Sequence, residues 1–249
     1  METRSKKSIG VCVALLLIGV MVGGGLAYAL LQPQISGLTS QVGQLRNNLE
    51  KAQAPQIPPL VPVTLNSSST ALLLLDFDIC NSASPVYSVY CATSNSSVRN
   101  ATALLNNAKN SKIQILFTSA PGHPQAGVTI PLDTNCTMCT VIPSYGADKF
   151  YNTTLDSWLK TNQVKTVVLA GGVTNGAILY TAFEANLRGL TVVVAADGTF
   201  RANSQIQSLA LFQLLNQPGF ANPQNQPLAV LANGRHTVTI SATNLITFK

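Results

Sequence analysis

Residues 167–185 read VVLAGGVTNGAILYTAFEA, and this stretch decides the fold class. The apolar run at its start predicts a buried strand, the Gly-Gly pair predicts a tight turn, and the segment from Asn175 to Leu187 has the apolar spacing of a helix. Enzymes with α/β folds place their nucleophiles at such a turn, at the carboxyl end of a parallel strand. The first position of this helix, however, is Gly176, which carries no side chain.

The same alternation of strands and helices continues along the chain. Apolar runs predict strands at residues 71–77, 112–119, 165–170, 190–196 and 236–241, and amphipathic segments predict helices at 98–107, 153–161, 175–187 and 204–215. Continuous Val, Leu and Ile strands between amphipathic helices are typical of a parallel sheet that is covered on both faces. We therefore expect an α/β fold, with a three-layer α/β/α domain around a doubly wound, mostly parallel sheet. The Asn233-Gly234 pair predicts a hairpin turn before the last strand.

Composition argues against several partners and cofactors. Charged residues make up only 10% of the chain, against about 25% in a typical soluble domain. The formal net charge is +6, and the basic residues beyond the N-terminus are scattered, with no basic stripe and interleaved aromatics, so no nucleic acid is expected as a partner. The Gly171-Gly172 pair does not open a G-x-G-x-x-G fingerprint, so no dinucleotide cofactor is predicted.

The N-terminal segment predicts a membrane anchor. Residues 9–31 form an uncharged apolar run, and about 20 such residues suffice to cross a bilayer as a helix. Arg4, Lys6 and Lys7 lie within the basic segment 1–8, so the positive-inside rule places this end in the cytoplasm. The alternative is a cleaved signal peptide with Ala27-Tyr28-Ala29 as its cleavage site, but the apolar run is longer than a usual signal core. We expect a single-pass protein of the cell membrane with its C-terminal domain outside the cell.

A predicted stalk and a linker follow the anchor. Within residues 32–53 a heptad seam is formed by Ile35, Leu38, Val42, Leu45, Leu49 and Ala52. Apolar residues at alternating steps of three and four favour either a helix that lies against its own domain or a short coiled coil that joins subunits. Residues 54–63 contain four prolines in ten positions, which favours an extended spacer. The globular domain is expected at residues 64–249.

Sequons and cysteines agree with an exported domain. Asn-x-Ser/Thr sequons, the acceptor sites for N-glycans, occur at Asn66, Asn95, Asn100, Asn135 and Asn152. Four cysteines lie beyond the anchor, and in an exported domain they suggest two disulfides; they are Cys80, Cys91, Cys136 and Cys139. Of the three possible pairings we expect Cys80 with Cys91 and Cys136 with Cys139. The alternative is a zinc site on Cys136, Cys139 and His123, but a structural zinc site needs four ligands, so no metal is predicted.

The order of these motifs resembles the isochorismatase-like cysteine hydrolases, the superfamily that includes nicotinamidases and N-carbamoyl amidohydrolases. The resemblance covers residues 70–248 and rests on five segments: LLLLDFD with Asp76, FTSAPGHP with Thr118 and His123, KFYNTTL with Phe150, residues 167–199, and HTVTISATNLI. It implies a hydrolase in which a cysteine thiolate at a helix N-terminus attacks a carbonyl or amide carbon. An aspartate moves the proton and a lysine holds charge nearby, while the turn amides form an oxyanion hole.

The sequence departs from this pattern at two of the three catalytic positions. Asp76 fits the aspartate, but the cysteine position is read as Gly176 and the lysine position, six residues before Phe150, as Ser144; Lys149 is read as out of register. The aspartate of the metal-binding Asp-x-His found in nicotinamidases is also absent. Because glycine supplies no nucleophile, we expect an inactive domain whose turn is retained for the fold.

Three functions follow from these patterns. The first is a membrane-anchored, glycosylated pseudoenzyme that is a structural or accessory subunit of a cell-surface complex, with protein partners or further copies bound through its stalk and domain. The second is an active amidohydrolase with a relocated nucleophile, for which Cys80 is the candidate. The third is a small-molecule binding module that uses the pocket beside Gly176.

Overall fold

The structure is a computed structural model that describes residues 28, 30–49, 59–80, 90–91, 94–119, 130–216 and 238–249. The chain divides into two compact units, Met1–Gln53 and Ala54–Lys249. Residues 1–27 of the predicted basic segment and anchor, residues 54–58 of the Pro-rich linker, His123 and the Asn233-Gly234 turn lie outside the described residues.

The N-terminal unit contains one described helix, α1, over residues 30–49. Its seam residues Ile35, Leu38, Val42, Leu45 and Leu49 are exposed, and Ala52 lies outside the described residues. Within the described part of the chain, none of the helices combines the length and the apolar character needed to cross a bilayer.

The second unit is built on a parallel sheet. Its strands are β1 (Val63–Leu65), β2 (Thr70–Leu75), β3 (Gln114–Thr118), β4 (Cys139–Ile142), β5 (Thr166–Gly171), β6 (Thr191–Thr199), β7 (Val238–Ser241) and β8 (Ile246–Phe248). Six of them form one sheet in the order β4-β3-β2-β5-β6-β7, and β1 pairs with β8 in a two-stranded sheet. Every described strand pair is parallel. The predicted α/β fold with a mostly parallel sheet is confirmed.

Four helices of this unit are described: α2 (Ser94–Asn110), α3 (Leu155–Thr161), α4 (Leu179–Leu187) and α5 (Ser204–Leu215). A π-helical turn, Thr174–Ile178, precedes α4. Several predicted helix boundaries differ from the observed ones. Helix α2 covers Ser94–Asn110 rather than 98–107, α3 starts at Leu155 rather than Thr153, and α4 starts at Leu179, after the π-helical turn, rather than at Asn175. The Thr153 hydroxyl accepts from the Leu155 N–H at 3.2 Å from outside the helix.

Helices cover both faces of the sheet, because the side chains of each strand alternate between two apolar clusters. In β2, Leu73 and Leu75 belong to a cluster that contains residues of α3, α4 and α5. Leu72 and Leu74 belong to the other cluster, which contains residues of α2. All six residues of β2 are buried, which explains why its sequence is continuously apolar rather than alternating.

The strand order places a topological switch point at the carboxyl end of β2. From β2 the chain continues to β3 on one side and returns through β5 on the other, so the connections leave the sheet in opposite directions. Parallel α/β sheets bind ligands at such a switch point, beyond the carboxyl ends of the strands. Asp76, the residue directly after β2, lies there.

The expected disulfide pairing is confirmed: Cys80 is bonded to Cys91, and Cys136 to Cys139. Of the sequon asparagines, Asn66, Asn95, Asn135 and Asn152 are exposed. Asn100 is half-buried, and its Nδ2, the atom that would carry a glycan, donates to the Asp197 carbonyl at 3.0 Å. The structure therefore leaves four sequons accessible.

Removing either disulfide should lower the free energy of unfolding, and the disulfide that closes the longer loop should contribute more. A disulfide restricts the unfolded chain, and the loop that Cys80 and Cys91 close is longer than the loop of Cys136 and Cys139. We expect Cys80→Ser/Cys91→Ser to reduce the free energy of unfolding by about 3 kcal/mol, and Cys136→Ser/Cys139→Ser by about 2 kcal/mol. Urea denaturation followed by fluorescence of Trp158, the single tryptophan, measures both. Equal losses, or a larger loss for the shorter loop, would contradict this.

Candidate functional site

Asp76 is held at the end of β2 by contacts with β3. Its φ angle is 51°, in the left-handed region that aspartate tolerates better than most residues. The Asp76 N–H donates to the Thr118 carbonyl at 3.1 Å, and the Thr118 hydroxyl donates to Asp76 Oδ1 at 2.7 Å. Thr118 is the last residue of β3, so both ends of this contact are fixed by the sheet.

Lys149 is the partner of this carboxylate. Its Nζ lies 2.6 Å from Asp76 Oδ2, and the lysine side chain is completely buried. The ammonium also donates to Ser144 Oγ and to the Gly146 carbonyl, both at 2.8 Å. These contacts use all three N–H donors of the ammonium group. The ion pair is therefore both buried and fully hydrogen-bonded on the lysine side.

This geometry corrects the assignment of the lysine position. The sequence pattern assigns the lysine position to Ser144 and places Lys149 out of register. In the structure the Lys149 side chain extends back over the loop and contacts both Ser144 and Asp76. One signal could have found it: Lys149 is the only basic residue between Ile142 and Leu155. The charge partner of Asp76 is thus present, and one of the two expected losses did not occur.

Burial dominates the electrostatics of the carboxylate. Desolvation raises the pKa of Asp76 from 3.8 to about 6, against the opposing effects of the Lys149 charge and the hydrogen bonds from Lys149 and Thr118. Asp76 is therefore ionised at pH 7 and takes up a proton in moderately acidic medium. A carboxylate with a pKa in this range can exchange protons near neutral pH.

The turn after β5 is determined by close packing. Gly171 has a φ of +114°, and a Cβ there would lie 1.9 Å from the Leu75 carbonyl oxygen. A Cβ on Gly172 would lie 2.3 Å from the ring of Phe200. Both positions therefore require glycine, for backbone approach and for packing of the ring. The hydroxyl of Thr174, two residues after Gly172, donates a hydrogen bond to the Phe200 carbonyl at 2.8 Å.

The start of the following helix carries no reactive group. Gly176 has non-helical backbone angles, and a Cβ there would meet only Val173, at 3.0 Å. Ala177 is buried in the apolar cluster that also contains Phe150, the residue after Lys149. The Thr181 hydroxyl accepts from the Lys149 N–H at 3.2 Å. Ala177 therefore packs on the same side of the sheet as Phe150. Its methyl group, like the hydrogen of Gly176, supplies no nucleophile.

Neighbouring side chains do not replace the missing thiol. The sulfur of Cys80 is bonded to Cys91. Ser144 Oγ donates to the Ser119 carbonyl at 2.5 Å and accepts from the Lys149 ammonium. A serine nucleophile needs a neighbour that accepts its proton, and a paired ammonium only donates. The described residues include no group of His, Cys, Asp and Glu side chains that could hold a metal ion.

Breaking the buried pair from the aspartate side should be costly. Asp76→Asn leaves the Lys149 ammonium buried without a counter-charge, and we expect a loss of about 3–5 kcal/mol in the free energy of unfolding. The double variant Asp76→Asn/Lys149→Met removes both charges and should recover part of that loss. Urea denaturation followed by Trp158 fluorescence measures both; a double variant as unstable as Asp76→Asn would show that the charges are not coupled.

Lys149→Met should destabilise the fold in a pH-dependent way. Without the ammonium, the pKa of Asp76 rises further above its unfolded value of about 3.9, so the native state binds the extra proton. Stability then falls as pH rises through the native pKa. We expect the loss relative to the parent protein to be smaller at pH 5 than at pH 8. The control is Lys160→Met, which removes an exposed ion pair with Asp156 and should cost less than about 1 kcal/mol at either pH.

Comparison with known proteins shows which family this part of the chain matches. A family model described as "Isochorismatase domain" matches residues 70–224, more than half of the chain. A search of curated protein sequences found no match.

Solved structures share the fold at low sequence identity. The nicotinamidase of Staphylococcus aureus is 21% identical, with a TM-score of 0.53 over 60% of this chain and 95% of its own. A cysteine hydrolase from Pseudomonas syringae is 15% identical, with a TM-score of 0.57 over 75% of this chain and 94% of its own. The N-carbamoylsarcosine amidase of Thermoplasma acidophilum is 16% identical, with a TM-score of 0.52 over 71% and 97%. On the match of its residues 70–224, the chain belongs to the isochorismatase family.

Proposed function

We propose that this protein is a membrane-anchored, outward-facing and glycosylated member of the family that does not hydrolyse substrates through a cysteine. Its domain serves as a structural or accessory subunit of a complex at the cell surface. The anchor is the apolar run at residues 9–31, and the two disulfides fit an oxidising compartment.

One observation carries the inactive part of the proposal. At the helix start beside the Asp76–Lys149 pair, the side chains are those of Gly176 and Ala177. All four cysteines of the globular domain are consumed in disulfides. The chain has one further cysteine, Cys12, in the apolar N-terminal run. The domain therefore lacks a free thiol to form the covalent intermediate of cysteine hydrolysis.

The hydrogen bonds of the ion pair favour a structural role over ligand binding. The Lys149 ammonium has no donor left for an incoming group, because Asp76, Ser144 and Gly146 accept all three. A ligand that used this lysine would have to displace one of these buried contacts, at the cost of leaving it unsatisfied. The network instead ties the end of β2 to the loop that follows β4.

Hydrolysis and thiol counting test the proposal together. We expect the purified full-length protein to release no ammonia from nicotinamide or N-carbamoylsarcosine above the rate in buffer, since removing a covalent nucleophile costs many orders of magnitude. Alkylation under denaturing, non-reducing conditions should label one of the five cysteines, Cys12. Turnover that survives Asp76→Asn can be assigned to a contaminating enzyme, whereas turnover that this variant abolishes would overturn the proposal.

Membrane topology gives an independent test. We expect the protein to remain in the membrane pellet after alkaline carbonate extraction, and protease added to intact cells to remove residues 64–249. The matched control is a chain that begins at Thr64 behind a cleavable signal peptide, which should be released in soluble form. If carbonate releases the full-length chain, or if the domain is protected in intact cells, the anchored, outward-facing arrangement is wrong.

A further inference from the structure

Helix α1 carries an apolar stripe of exposed side chains. Its six members are each between 51% and 67% exposed; they are Leu31, Ile35, Leu38, Val42, Leu45 and Leu49. The helix has 20 consecutive residues, 30–49, and is about 30 Å long. Isolated helices of this length are marginally stable in water, and most helical stability comes from packing of an apolar face. The stripe therefore needs a partner.

The residue types along the stripe indicate what that partner is. The stripe repeats every seven residues, with Ile35, Val42 and Leu49 at the first core position of successive heptads and Leu31, Leu38 and Leu45 at the second. Two of the three residues at the first position, Ile35 and Val42, are β-branched, and such residues combined with leucine at the second position favour two parallel strands over three or four. Two copies of the segment thus supply matching knobs and holes to each other.

Charges beside the stripe also allow two copies to associate. In a parallel pair, the seventh position of one heptad lies opposite the fifth position of the next heptad on the partner helix. Gln41 would meet Arg46, and Gln34 would meet Thr39. No two like charges are brought together, so self-association carries no electrostatic penalty. Gly37 and Gly43 fall on the outer face, where an added Cβ would meet no atom within 4 Å beyond the helix's own backbone. They weaken the lone helix but are not part of the stripe.

We propose that residues 31–49 form a parallel two-stranded coiled coil with the same residues of a second copy of this chain. Parallel orientation rests on the proposed membrane anchoring, because two anchors in one bilayer start both helices from the same side. Confinement to the membrane raises the effective concentration of the second copy, which allows a stripe of under three full heptads to associate. The two globular domains are then carried as a pair.

Engineered cysteines test both the stripe and the orientation. In full-length protein carrying Cys12→Ser, Leu45→Cys places a thiol at a core position that faces the same residue of the partner only when the helices are parallel. We expect mild oxidation of membranes to convert Leu45→Cys to a covalent dimer, and the matched outer-face variant Asn47→Cys to form at least fivefold less. No dimer from Leu45→Cys, or equal dimer from both variants, overturns the proposal.

A charge-matched pair of variants tests whether the stripe drives association. Leu38→Glu/Leu45→Glu places two charges in the stripe, whereas Ser40→Glu/Asn47→Glu places the same charges on the outer face. In lipid vesicles, energy transfer between donor-labelled and acceptor-labelled chains at rising protein-to-lipid ratio should show a dimer for the parent and for the outer-face variant. The dissociation constant of the stripe variant should be roughly 100-fold higher. A trimer, a monomeric parent, or a dimer that both variants retain contradicts the proposal. These results do not depend on hydrolysis or on protease accessibility, so the proposed function can fail or stand separately.

Discussion

The buried ion pair between Asp76 and Lys149 is the contact on which the arrangement of the strand ends depends. It connects the residue after β2 with the loop after β4, and Thr118 at the end of β3 completes it. A lysine with no exposed surface is tolerated only when each of its donors has an acceptor. The loop over residues 143–149 must therefore place Ser144 and Gly146 around the ammonium, and this requirement determines the path of the loop.

The sequence predicts well those parts of the fold that are long, buried and local. Strand β2 and strand β5 are continuous apolar runs, and the structure has both where the pattern places them. The strands that sequence patterns missed, β1, β4 and β8, have three or four residues and a mixed burial pattern. Such segments are set by their neighbours in the sheet rather than by their own periodicity, so no local rule detects them.

The candidate site was predictable in part, for a similar physical reason. Asp76 could be found because it directly follows a buried strand, whereas the sequence alone leaves three disulfide pairings possible, of which the structure has the expected one. Lys149 could not be placed by register, because a lysine side chain extends over several bonds and here turns back across five residues of loop to Ser144. Counting formal charges within the loop is a better guide to such a partner than counting residues from a motif.

The packing of Gly171 against the Leu75 carbonyl, together with the retained Asp76–Lys149 pair, has a consequence for protein engineering. The turn after β5 is held by backbone contacts that do not involve a nucleophile. A cysteine placed at Ala177 would stand at a helix start, in the same apolar cluster as Phe150, the residue after Lys149. The domain therefore offers protein engineers a frame closed by two disulfides, on which the effect of an added thiol can be measured directly.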